Sequence, residues 1–193
     1  MSEFYTFFQI GIEHVLDWNG YDHVLFLMVL CCTATFATWK RVLVLATFFT
    51  VGHTLSLLLS VFGIILVKTY YIELLIPITI LATAVHNIFT VKKTTKNNGI
   101  GVVGTITILF GIVHGLGFSN YFKNLLSGTF AEKLAPTLSF SAGIEAAQIA
   151  VVLSVLVLAY ILQNIFKIYK RDFVLVLSAI AVGIVIPMIL ERF

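Results

Sequence analysis

The chain has 193 residues, 60% hydrophobic and 11% charged, with a net charge of +3 and a mean hydropathy of +1.05. A soluble domain averages roughly 45–50% apolar and about 25% charged, so the composition excludes a water-soluble enzyme, a nucleic-acid binder and a disordered scaffold. At about 20 apolar residues per crossing, the length holds one transmembrane domain, 1–193, of six or seven spans with almost nothing outside the bilayer.

In chain order, the opening MSEFYTFFQI carries Glu3 and lacks a positive n-region, so no cleavable signal peptide is expected. Phe4 to Trp18 is apolar but broken by Glu13, His14 and Asp17. Too short to cross alone, it is expected to form an interfacial or re-entrant helix packed on the bundle. Apolar runs bounded by charge then predict six membrane helices: Asp22 to Trp39, Val42 to Val67, Tyr70 to Val91, Ile100 to Phe118, Pro136 to Ile165 and Phe173 to Leu190. The expected fold class is all-α, a polytopic transmembrane helix bundle. In the first span Cys31 and Cys32 are adjacent, a spacing that suits neither a mutual disulfide nor a metal motif, and both read as small apolar residues. Ser119 to Ala135, with Lys123, Asn124, Glu132 and Lys133, reads as an external loop carrying a short amphipathic helix.

The basic residues set the orientation. Lys40, Arg41, Lys92, Lys93, Lys96, Lys167, Lys170 and Arg171 fall on one side of the predicted bundle, against Lys68, Lys123, Lys133 and Arg192 on the other. The positive-inside rule puts the richer side in the cytoplasm. The expectation is a multi-pass protein of the cell inner membrane with both termini outside.

Ionisable residues inside a membrane are costly and point to function. Depth along each predicted helix, at about 1.5 Å per residue, brings many of them toward one level. Asp22 and His23 open the first span at its outer end. His14 and Asp17 precede them at a spacing of three, which puts both on one face of a helix. His53 falls near the middle of the second span and Glu73 at the outer end of the third. His114 lies near the outer end of the fourth, and Glu145 is nine residues into the fifth with Gln148 on its face. Any one of these could serve as a cross-helix hydrogen bond, a common use in bundles. Their convergence favours a divalent transition metal, because imidazole and carboxylate without thiolate suit zinc, nickel, cobalt, iron or manganese better than copper(I). His86, beside Asn87 near the opposite end of the third span, is expected to be structural, or at most an inner exit residue. Gly111, Gly115 and Gly117 around His114, and Gly143 near Glu145, are expected to let helices approach closely.

These motifs resemble the HupE/UreJ family of small membrane proteins. The resemblance is carried by the run Gly11 to Phe26 with His14, Asp17, Asp22 and His23, by Phe49 to Ser56 around His53, and by Tyr71 to Glu73 with Asn87. Phe110 to Phe118 around His114 and Phe140 to Gln148 around Glu145 extend it in the same order. Better-known members have a cleavable signal and a His-Pro start, whereas His14 here is followed by Val15, which places the chain in a divergent branch. The resemblance implies a nickel or cobalt permease or a metal accessory protein, with Asp22, His23, His53, Glu73, His114 and Glu145 along the metal pathway.

The leading functional expectation is a transition-metal permease or metal-binding membrane protein in which His14 and Asp17 collect the ion. The alternative is an intramembrane zinc-dependent hydrolase of the lipid-amidase kind, with His53, the Asp22-His23 pair and His114 as ligands, Ser56 beside them, and Glu145 as general base. A metal-sensing or assembly subunit is a third reading. Expected partners are the divalent ion and the lipid bilayer, not nucleic acid, with a homo-oligomer or metalloenzyme-maturation proteins as further possibilities.

Overall fold

In lipid every backbone polar group must find its partner within the protein, and a computed structural model answers that demand with helices throughout. It describes residues 2–18, 20–92 and 100–192. The helices are α1 (Glu3–Val15), α2 (Asp22–Cys31), α3 (Trp39–Val61), α4 (Thr69–Thr90), α5 (Ile100–Leu125), α6 (Phe130–Tyr160) and α7 (Lys170–Leu190). Five of them, α3 to α7, are long and apolar enough to cross a membrane. Exposed Val51, Leu55, Leu109, Leu153 and Val157 stud these helices, as expected of a surface that lipid covers.

Two expectations about element boundaries are corrected. The apolar run from Asp22 to Trp39 is not one span: α2 has ten residues, about 15 Å of rise and half a hydrocarbon core. The chain leaves the helix after Cys31 and restarts at Thr35, where Thr38 Oγ1 accepts from the Thr35 N–H at 3.0 Å and donates to the Thr35 carbonyl at 3.1 Å. These bonds open a 3-10 turn, Phe36–Thr38, that leads into α3. The segment Ser119 to Ala135 is mostly helix, because α5 continues to Leu125 and α6 begins at Phe130. Thr129 caps α6 by exchanging hydrogen bonds with Glu132, the reciprocal box that starts a helix. The amphipathic α1 was anticipated as a helix packed on the bundle, and it lies against α6.

Two glycine crossings position the site. A Cβ on Gly111 would strike the Phe49 carbonyl, and one on Gly52 the Ile108 carbonyl. Backbone therefore meets backbone where α3 crosses α5, in the manner of small-residue contacts in membranes. The second crossing joins α1 to α6: a Cβ on Gly11 would strike the Phe140 carbonyl, and one on Gly143 the Phe8 carbonyl. Gly143 thus serves the docking of α1, and Gly117 faces the side chains of Ile72 and Ile76. The first crossing sets His53 beside the turn of His114, and the second carries His14 into the bundle.

Candidate metal centre

Four histidines from four helices meet at one level of the bundle. His14 ends α1, His23 opens α2, His53 lies in α3 and His114 in α5. Ring centroids of His14 and His23 are 4.6 Å apart, those of His14 and His53 5.6 Å, those of His23 and His53 5.6 Å, and those of His23 and His114 5.2 Å. His23, His53 and His114 are almost wholly buried. Ligating nitrogens of His14, His23 and His53 all lie within 4.8 Å of one another. A tetrahedral ion with bonds of about 2.0–2.1 Å needs donors about 3.4 Å apart, so a small inward swing of the rings closes on an ion.

Hydrogen bonding fixes which nitrogen each ring offers. The Nδ1 of His114 lies 2.8 Å from the Phe110 carbonyl, one turn back on α5. A carbonyl only accepts, so Nδ1 carries a proton, and it is Nε2 that keeps the lone pair of the neutral ring. The Nδ1 of His23 meets Asp22 Oδ1 at 3.1 Å, with the same consequence. Nε2 of His14, His23 and His114 and both ring nitrogens of His53 are buried and have no hydrogen-bond partner in the protein. Each such orphan costs roughly 1–3 kcal/mol, and several lone pairs facing one space make a nest for a cation. His14, His23 and His53 bring ligand atoms together at a spacing that suits a transition metal, with His114 beside His23.

Aromatic rings seal the cluster. Phe118 and Phe140 stack with planes 3° apart, and Phe118 covers His14 at 3.9 Å between centroids. On the side of the basic helix ends, Phe49 packs 4.9 Å from His114, and Phe26 stacks on Phe49 at 4.9 Å and meets Phe110 edge-on at 5.8 Å. Phe26, Phe49 and Phe110 lie three or four residues beyond His23, His53 and His114 on their helices, so they form one layer beneath the histidines. The spacing signal was present in the sequence, but aromatic residues at helical spacing usually mean ordinary core.

The other anticipated residues lie elsewhere. Glu145 is held between α6 and α3 by two hydroxyls, Thr47 Oγ1 donating to Oε1 at 2.6 Å and Thr50 Oγ1 contacting Oε2. Thr50 also lies 3.1 Å from Gln148 Oε1, and Thr54 donates to Ser141 at 2.8 Å. This polar ladder leaves Glu145 one to two turns past His53 toward the basic helix ends. Thr47 completes it, a partner that sequence reasoning missed although it sits one turn before Thr50. Asp17 is exposed in the turn between α1 and α2, alongside Gly20, and Glu73 is exposed in α4. Neither joins the histidine cluster. His86 is exposed at the opposite end of the bundle, while its neighbour Asn87 is buried and donates to the Val29 carbonyl at 2.7 Å.

A family model described as HupE / UreJ protein matches residues 1–192. No curated protein and no solved structure matches the chain.

Proposed function

The chain belongs to the HupE/UreJ family, a family associated with nickel and cobalt transport or with accessory roles to metalloenzymes, and from that premise we propose that it binds a divalent transition-metal ion at the four histidines and passes it through the bundle. The observation that carries the proposal is the convergence of unpartnered imidazole nitrogens from four helices in a buried space. His14, His23, His53 and His114 take the ion as cargo. Asp22 orients His23, and the exposed Asp17 and Glu73 attract cations at the entrance. Glu145, one to two turns further in, is the next group the ion meets, and its carboxylate with the hydroxyls of Thr47 and Thr50 gives a harder, all-oxygen environment. Imidazole selects nickel, cobalt or zinc, and a hand-over from nitrogen to oxygen donors keeps binding weak enough for release.

The proposed orientation puts the end bearing Lys40, Arg41, Lys92, Lys167, Lys170 and Arg171 in the cytoplasm. Lys93 and Lys96, which also entered that count, lie outside the described residues. The entrance then faces the outside of an inner membrane. The hydrolase alternative finds no support: Ser56 donates to the His53 carbonyl at 2.9 Å within its own helix, and Glu145, cast as general base, stands with threonines.

Reconstitution in proteoliposomes with nickel, cobalt and zinc tests the reading. Uptake of at least one ion that is lost in His23→Ala and His114→Ala is the expected result. Absence of both flux and binding for every ion in the panel would overturn it.

A further inference from the structure

At the end of the bundle opposite the histidines, where α2 and α4 finish and α3 and α7 begin, a cavity of about 590 Å³ opens. Arg41 from α3, His86 from α4 and Lys170 and Arg171 from α7 stand on its walls, with Thr33 and Thr38 in the intervening turn. No Asp or Glu is among the described lining residues. Arg171 Nε is engaged with Asp172 at 2.9 Å and Arg41 also has a partner, yet the described lining residues themselves bring three cations and no acid. Two helix N-termini, those of α3 and α7, add partial positive charge at the same place. The rest of the lining mixes apolar Val29, Leu45 and Val103 with the hydroxyls of Thr83 and Thr90.

This chemistry does not continue the metal pathway. A basic ring repels a divalent cation and attracts an anion, and the layer of Phe26, Phe49 and Phe110 separates the cavity from the histidines. The geometry points to a site for the phosphate group of an anionic membrane phospholipid, held by Arg41 and Lys170, with the glycerol and the start of the acyl chains against the rest of the lining. A free phosphate ion would satisfy the cations and leave the apolar residues unused, whereas a phospholipid uses both. Basic pockets between helices on the cytoplasmic side are suited to such head groups. The inference is independent of the metal reading.

The test uses the full-length protein in detergent, with phosphatidylglycerol or phosphatidylcholine added and retention read by native mass spectrometry. Wild type is expected to retain phosphatidylglycerol selectively. The double variant Arg41→Gln/Lys170→Gln loses roughly thirtyfold of that preference, about fivefold for each cation removed near an anionic head group. Arg41→Lys/Lys170→Arg retains it, as does Lys123→Gln/Lys133→Gln at the other end of the bundle. Helicity by circular dichroism and a monodisperse elution profile are measured on the same double variant and stay unchanged, which shows that it is folded. Three results overturn the proposal: equal retention of the two lipids, an equal loss in the Lys123/Lys133 variant, or full displacement of phosphatidylglycerol by excess inorganic phosphate, which would mark an ion site.

Discussion

Asp22 Oδ1 accepts two hydrogen bonds from its own neighbour His23, one from the backbone N–H at 2.9 Å and one from ring Nδ1 at 3.1 Å. The carboxylate therefore holds the first turn of α2 and the tautomer of its histidine together, and Nε2 is left to face His14 and His53. Carboxylate-oriented histidines are more basic and better placed as ligands. Asp22→Asn is expected to weaken metal binding by roughly 10–100-fold, the usual effect of removing a ligand's orienting partner. Isothermal titration with nickel or cobalt checks this, and an unchanged affinity would remove Asp22 from the site.

Removing an imidazole outright takes away a donor as well as its orientation. His14→Ala, His23→Ala and His53→Ala should each exceed the loss in Asp22→Asn, while exposed His86→Ala leaves affinity unchanged. The same titration series ranks all five variants.

An ion that binds only the folded bundle stabilises it by mass action. At a free ion concentration about 100 times Kd the gain is about 2.7 kcal/mol, visible as a rise in thermal midpoint in detergent. His23→Ala should show no rise at the same ion concentration.

Transport and simple storage separate at Glu145. Because it sits on the threonine ladder and not among the imidazoles, Glu145→Gln should leave nickel affinity at the histidines intact while reducing flux in proteoliposomes. Loss of affinity in this variant would instead make the carboxylate a ligand of the first site.

The α1–α6 crossing offers a purely steric test. Gly11→Leu drives a side chain into the Phe140 carbonyl, and overpacking of this kind costs roughly 1–3 kcal/mol. The strain is relieved when α1 lifts, taking His14 with it. The variant should remain monodisperse with near-wild-type helicity by circular dichroism and bind metal less tightly.

Much of this arrangement was legible in the sequence, for reasons that differ by residue. His53 and His114 converge because a straight helix of fixed rise turns sequence position into depth, and the glycines around them announce a close crossing. The break after α2 was hidden because Cys32 to Thr38 carries no charge, so hydropathy runs across a turn made by threonine hydroxyls. Lys123 and Glu132 were misread as loop markers, since a helix that outlasts the bilayer is polar in the same way as a loop. His14 and Asp17 share a face only if the helix continues, and α1 ends between them at Val15. Glu73 was placed by depth alone, which says nothing of the direction in which a side chain points.

The aromatic layer beneath the histidines has an electrical consequence. In the proposed orientation, an ion arriving from outside passes the stacked rings of Phe118 and Phe140 to reach the imidazoles and the rings of Phe26, Phe49 and Phe110 to leave them, so dry barriers lie on both sides of the site. Moving one elementary charge through the full potential is worth about 2.3 kcal/mol per 100 mV, so a divalent ion draws about twice that. Capture at the histidines and the step past Phe49 toward Glu145 then each draw on an inside-negative potential, and both should speed as that potential grows.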